Sequence, residues 1–330
     1  MGIKRSARKF LKSKSMTLVY VTAVVIVFFY LMNNNYLSRD NISGMMNSMS
    51  ITGITAIGIS YLLMGGGINL ASGAQGCFGA LVVALSMSAG VPWLPALIFG
   101  LIFGMCAGLI NSFFINKLGF MSFITTLGMS SIFSGLGIFI SNNNNLPISN
   151  QSFWQIGTYN LFNFFPMPFV IMVIFTIIYG FILVKTRFGR SVLMCGGNRA
   201  AARLAGLNPQ RISTILYMNC GAFAVLAGSV LAARMHHASP SALASSTLDG
   251  ITASVLGGVS FGGGSGSITG MFIGVLLLTA FNNGLVVINV YSYWQLVSQG
   301  AVLIVALCLD FFSTKARTAS MKKASMKKIA

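Results

Sequence analysis

Asp40, Asp249 and Asp310 are the entire carboxylate supply of this 330-residue chain. They lie far apart, each near the end of an apolar run, so no two are spaced as a general acid and base. His236 and His237, next to Arg234, are the only imidazoles. A metal would need further ligands, and none lies near them in sequence. Cys77, Cys106, Cys220 and Cys308 lie in or beside apolar stretches and Cys195 in a polar loop, without CxxC or metal-ligand spacing. The run 257–270 has the glycines of a phosphate-binding loop and lacks its lysine. What is left is uncharged hydrogen-bonding chemistry. Asn69, Ser72, Gln75, Asn111, Asn282 and Asn283 sit in or beside apolar segments. Such amides and hydroxyls can serve a polar solute along a path without trapping it by charge, or can bond one helix to another. Both readings stay open for each residue, and Asn69 and Gln75, in a glycine-rich interruption, are the better path candidates.

The elements that position these groups follow from composition. Charged residues make up 7% of the chain and hydrophobic residues 55%, with a mean hydropathy of +0.82. A soluble domain carries about a quarter charged residues, so this chain cannot cover itself with solvated groups. Lys and Arg number 21 against three acids, a net charge of +18. Long apolar runs separate the basic residues into clusters, which argues for membrane lipid and against nucleic acid as the partner.

A membrane-crossing helix needs about 20 apolar residues. Ten such segments are expected: 16–32, 45–64, 93–116, 120–141, 168–185, 212–233 and 294–312, and three shorter or glycine-rich ones at 73–91, 248–262 and 268–288. Asn33-Asn34-Asn35 follows the first segment where a cleavage site would need small residues, so it reads as an uncleaved anchor. Basic residues gather in 4–14, in 185–211 and in 315–328. The positive-inside rule puts all three clusters, and both termini, in the cytoplasm. Trp93, Trp154 and Trp294 then fall near the outer surface. The expectation is an all-α polytopic protein of the cell membrane with a basic cytoplasmic N-terminus (1–15), a membrane domain (16–312) and a basic cytoplasmic tail (313–330).

The acids lie at span ends, which disfavours proton coupling; ion coupling through backbone carbonyls stays possible. Gly100, Gly104 and Gly108 share one helix face, where a neighbouring backbone can approach. The runs 65–79 and 257–270 differ, since each combines several glycines with small polar residues inside an apolar span. That is the pattern of broken or re-entrant membrane helices.

Between the spans ending near 185 and starting near 212 lies TRFGRSVLMCGGNRAAARLAGLNPQR, residues 186–211. Asn198 can cap a short helix that Gly206 ends, with Arg199 and Arg203 on one face. A basic helix lying on anionic lipid and a helix docked in a groove of a cytoplasmic protein are both compatible with it. This loop and the span after it resemble permease subunits of the ribose/xylose/arabinose/galactoside class of ABC importers. The class pattern of Gly-Gly-Asn, two positions, Ala-Ala-Arg-Leu, a small residue and Gly is matched by Gly196, Gly197, Asn198, Ala201, Ala202, Arg203, Leu204, Ala205 and Gly206. LDGITASVLGGVSFGGGSGSITG (248–270) and NNGLVVINVYSYWQLVSQGAVLIVALCLD (282–310) match as well.

The resemblance implies a subunit that is no enzyme and binds no cofactor, with ATP and magnesium held by separate ATP-binding cassette subunits. It implies a second permease subunit, an extracytoplasmic solute-binding protein and a pentose- or hexose-class sugar as cargo. Gly196, Gly197, Asn198, Arg199, Ala202, Arg203, Leu204 and Gly206 would form the coupling helix that docks on the ATPase. Arg39 and Arg234, on the outer side, are candidates to meet the binding protein, or snorkel from span ends. An ion-coupled carrier, or the same importer class carrying a nucleoside, a signalling furanose or an amino acid, is the alternative. Two positions depart from the class: Asn69 stands where an aspartate is common, and Thr247 where a glutamate is common. Either this chain pairs with a different permease subunit that retains both acids, or these positions tolerate the change.

Overall fold

The computed structural model describes residues 14–329, so most of the basic N-terminus expected over 1–15 lies outside the described residues. The helices are α1 (Lys14–Met32), α2 (Arg39–Met64), α3 (Ser72–Ser88), α4 (Trp93–Ser112), α5 (Ser122–Ser141), α6 (Gln151–Thr158), α7 (Met167–Lys185), α8 (Arg187–Gly197), α9 (Arg199–Leu204), α10 (Pro209–Met235), α11 (Ser246–Leu256), α12 (Ile268–Val287) and α13 (Ser292–Ile329). A π-helical turn, Phe113–Lys117, extends α4. Among the described residues, strand structure is limited to two-residue pieces: β1 (Leu146–Pro147) pairs antiparallel with β4 (His237–Ala238), and β2 (Asn160–Leu161) with β3 (Phe165–Pro166).

Burial does not follow hydropathy. The most apolar long helix, α7, has a mean hydropathy of 2.6 and is only 17% buried, whereas α2 reaches 1.2 and is 83% buried. Helix α10, at 1.8, is 67% buried, while α5, at 1.7, is 17% buried. In water this arrangement would be untenable; against lipid tails it is expected, because greasy helices face the hydrocarbon and polar ones must find partners inside. Among the described residues, six helices are long and apolar enough to cross a bilayer, and Leu18–Met32, Ser72–Ser88 and Ser292–Cys308 are shorter apolar helices. The chain is an all-α membrane protein.

Buried polar side chains in α2 are satisfied within the helix: Ser50 and Thr55 donate to the carbonyls of Met46 and Ile51, one turn back. Helix α10 is the hub, packed against α2, α3 and α4. Glycine permits the close approach. A Cβ on Gly104 would lie 2.5 Å from the carbonyl oxygen of Gly221, and one on Gly76 would lie 2.6 Å from that of Ala224. The expected stripe Gly100, Gly104 and Gly108 is buried against α10 and α3, so dispersion between backbones replaces side-chain packing there.

Several expected boundaries are corrected. The span expected at 248–262 is helical only to Leu256, eleven residues, because Gly257 and Gly258 end α11. The interruption expected over 65–79 is confined to Gly65–Ala71; Gly73, Gly76 and Gly79 are helical and serve packing. Helix α13 continues past the expected limit of 312 to Ile329.

Candidate functional site

The loop expected to couple consists of two helices. In α8, Val192 and Cys195 are buried, and burial pushes the Cys195 thiol up, with the cation of Arg199 pulling the other way. Asn198 breaks the chain into α9 by accepting from the backbone N–H of Ala200 and Ala201, both at 3.0 Å. Gly206, at φ +80°, closes α9 in the left-handed conformation that favours glycine. Arg199, Arg203 and Gly206 are exposed, Ala202 is buried against the protein, and Leu204 is 92% exposed. An exposed leucine with two exposed guanidinium groups near it puts apolar surface and positive charge together at the loop tip.

Gly196 and Gly197 lie in α8 and belong to a junction that the sequence did not disclose. The backbone N–H of Gly264 donates to the Met64 carbonyl at 2.9 Å. A Cβ on Gly196 would overlap that same carbonyl and would sit 2.7 Å from the Gly264 nitrogen. A Cβ on Gly263 would lie 2.9 Å from Cα of Gly66 and from the Gly196 carbonyl oxygen. Both helix breaks and the foot of α9 therefore meet backbone to backbone. The sequence offered three glycine clusters as a signal but nothing about their convergence.

Above this junction, Asn69, Ser72 and Gln75 are buried together. Asn69 Nδ2 donates to Gln75 Oε1 at 3.0 Å and to Cys220 Sγ at 3.5 Å, while its Oδ1 accepts from the N–H of Ala71 at 3.0 Å. The Ser72 and Thr247 hydroxyls are 3.0 Å apart, and Thr247 Oγ1 accepts from the N–H of Gly73 at 2.7 Å. The Ser72 hydroxyl also donates to the Asn69 carbonyl at 3.5 Å, so the two positions that depart from the class pattern, Asn69 and Thr247, share one network through Ser72. Thr247 also lines a cavity of about 560 Å³ whose other walls include Ser130, Ser134 and Ser241. Asn111 is buried on α4 and makes no hydrogen bond to this network, since neither its Oδ1 nor its Nδ2 has a partner.

Asn282 and Asn283 belong to a separate cavity of about 640 Å³ that Arg234 also lines. Asn283 exchanges paired amide bonds of 2.9 Å with Asn41, a residue sequence reasoning passed over because it lies just outside the apolar run 45–64. Arg39 lies elsewhere, donating to the Asn163 carbonyl at 2.7 Å with its guanidinium 5.8 Å from the Phe164 ring centroid. Among the described residues, His236 stacks on Trp154 at 4.2 Å, and no three His, Cys, Asp or Glu side chains gather as a metal site.

A family model described as branched-chain amino acid transport system / permease component matches residues 41–307. The chain belongs to that family. As a permease component it is a membrane-embedded transport subunit and not an enzyme. It is 36% identical over 291 residues to the ribose import permease protein RbsC of Bacillus subtilis, covering 87% of this chain and 89% of that one. It is 32% identical to the D-allose transport system permease protein AlsC of Escherichia coli over 298 residues, 90% of this chain and 91% of the other. The L-arabinose transport system permease protein AraH of E. coli is 34% identical over 304 residues, 91% of each chain. No solved structure matches this permease at a significant level. The family match spans the glycine junction, both cavities and the whole α8–α9 loop.

Proposed function

We propose that this permease is the translocating subunit of an ATP-driven, binding-protein-dependent importer for a pentose- or hexose-class sugar. ATP and magnesium would be held by partner cassette subunits, with a second permease subunit completing the path. The observation that carries this reading is the α8–α9 loop: a capped, exposed helix whose foot touches both helix breaks. A push on α9 from a cytoplasmic motor would act on Met64 and Gly264 at once, with no soft side chain between. In thermodynamic terms the permease is the bistable element and ATP binding on the partner biases it.

Ten crossings with both termini cytoplasmic fit the course of the chain. The α2 end at Gly65 and the α12 start at Ile268 both adjoin the α8–α9 loop, while the other ends of these helices lie by Arg39 and Val287, near the outer-loop candidates. The division into 1–15, 16–312 and 313–330 goes with that topology. Gly196, Gly197, Asn198, Arg199, Ala202, Arg203, Leu204 and Gly206 form the coupling element. Asn69, Ser72, Gln75, Asn111, Asn282 and Asn283 serve the path, and Arg39 and Arg234 face the binding protein.

Reconstitution tests this reading. The permease with its cassette partner and binding protein should accumulate labelled D-ribose, D-allose or L-arabinose in proteoliposomes only with ATP. Uptake by the lone chain, driven by an ion gradient without ATP, would replace the reading with a secondary carrier. Isolation of the intact complex also decides its symmetry: two permease species would favour the pairing in which the partner supplies the acids absent at Asn69 and Thr247.

A further inference from the structure

The cavity of about 640 Å³ is walled by α2, α11, α12 and α13, with Arg234 at the end of α10. Its lining includes the chain's one acid in α11, Asp249, whose Oδ1 accepts from the Gln299 amide. Thr279 is 6% exposed and lines the cavity, and its hydroxyl has no bond to any described residue. The Asn282 amide likewise has no partner among the described residues and lines the same wall. Gln295 spends its Nε2 on the Val290 carbonyl at 2.8 Å, leaving its carbonyl oxygen as an acceptor. The unbonded Thr279 hydroxyl and Asn282 amide facing this space are available to a polar occupant.

Ligand pockets commonly run from about 300 to 1,000 Å³, so the space admits a small solute. An anion would meet Asp249, and a cation would meet Arg234. An uncharged polyhydroxylated solute can use the carboxylate and the Gln295 oxygen as acceptors and the amides of Asn282 and Gln299 as donors. We infer that this cavity is a solute site within the permease itself, in which Thr279, Asn282, Asp249 and Gln299 discriminate among sugars. The inference rests on the sugar-import reading above and adds specificity in the membrane subunit to whatever the binding protein imposes.

The test uses the complete importer in proteoliposomes, with D-ribose, D-allose and L-arabinose supplied separately as probes, comparing wild type with Asn282→Leu, Gln299→Leu and Thr279→Val. The readout is the ratio of the three uptake rates, together with the amount of assembled complex and its basal ATPase rate. A loss of solute hydrogen bonds should change the uptake ratio by about tenfold in at least one variant, since about 1.4 kcal/mol corresponds to a factor of ten. Complex assembly and basal ATPase should stay within twofold of wild type. Unchanged ratios, whether rates hold or all three fall together, overturn the inference and leave the import reading standing. Failure of the wild-type complex to move any of the three sugars overturns both.

Discussion

Thr247 and Asn111 are both buried polar residues, and they should respond oppositely to apolar replacement. Thr247 Oγ1 accepts from the Gly73 N–H and bonds the Ser72 hydroxyl. Thr247→Val leaves the Gly73 N–H without a partner and the Ser72 hydroxyl with only its 3.5 Å bond to the Asn69 carbonyl, at a cost of about 1–3 kcal/mol, whereas Thr247→Ser keeps the oxygen. Thermal unfolding of the purified permease should therefore show a lower Tm for the valine variant and a near-normal one for serine. Asn111 has no partner at either amide atom, so Asn111→Leu removes a desolvation penalty and breaks no bond. Its Tm should equal or exceed that of wild type. If Asn111 serves the path, uptake falls in the same variant although stability does not, which separates the two readings that its sequence position left open.

Helix packing in this permease depends on missing side chains. Gly108 faces the Tyr217 backbone, and a Cβ there would also come within 2.7 Å of the Met218 Cα. Gly108→Val should push α4 off α10, lowering the Tm by more than the Thr247→Val change and reducing the amount of folded permease in the membrane. Gly196→Val acts at the junction instead, displacing α8 from the Met64 carbonyl and from Gly264. The expected outcome is a complex that assembles and hydrolyses ATP but transports poorly, measured as the ratio of sugar moved to ATP consumed. A proportional loss of both activities would reduce the junction to a packing contact. The glycine breaks were legible as breaks, because clustered glycine with small polar residues cannot hold an apolar helix. Their limits were not, since Gly73, Gly76 and Gly79 are helical where a neighbouring backbone rewards the absence of a side chain.

At the scale of the whole molecule, the exposed guanidinium groups of Arg199 and Arg203 flank Leu204 on a loop that the rest of the fold leaves uncovered. Reversing both charges with Arg199→Glu and Arg203→Glu should cut co-purification of the cassette subunit at least tenfold, since a partner surface that attracts two arginines would then meet like charge, which repels and slows association. Membrane abundance of the permease should stay unchanged, because neither side chain packs inside it. Retention of the cassette subunit at wild-type levels would move the docking surface elsewhere and leave the basic helix to lipid.

Membrane residence and class were determined by the sequence itself, because composition and long apolar runs act locally: each segment carries its own transfer free energy wherever it ends up. The Asn198 cap and the Gly206 stop of α9 were legible for the same reason, as both act within one turn. Tertiary structure alone decided the rest. It put the least apolar long helix, α2, at the centre and the most apolar, α7, at the rim. It joined Asn69 to Thr247, Asn41 to Asn283, and Gly196 to both Gly66 and Gly264. Hydrogen bonds and van der Waals contacts act over a few ångströms in space, and no local pattern in a chain records which distant segments folding will bring within that range.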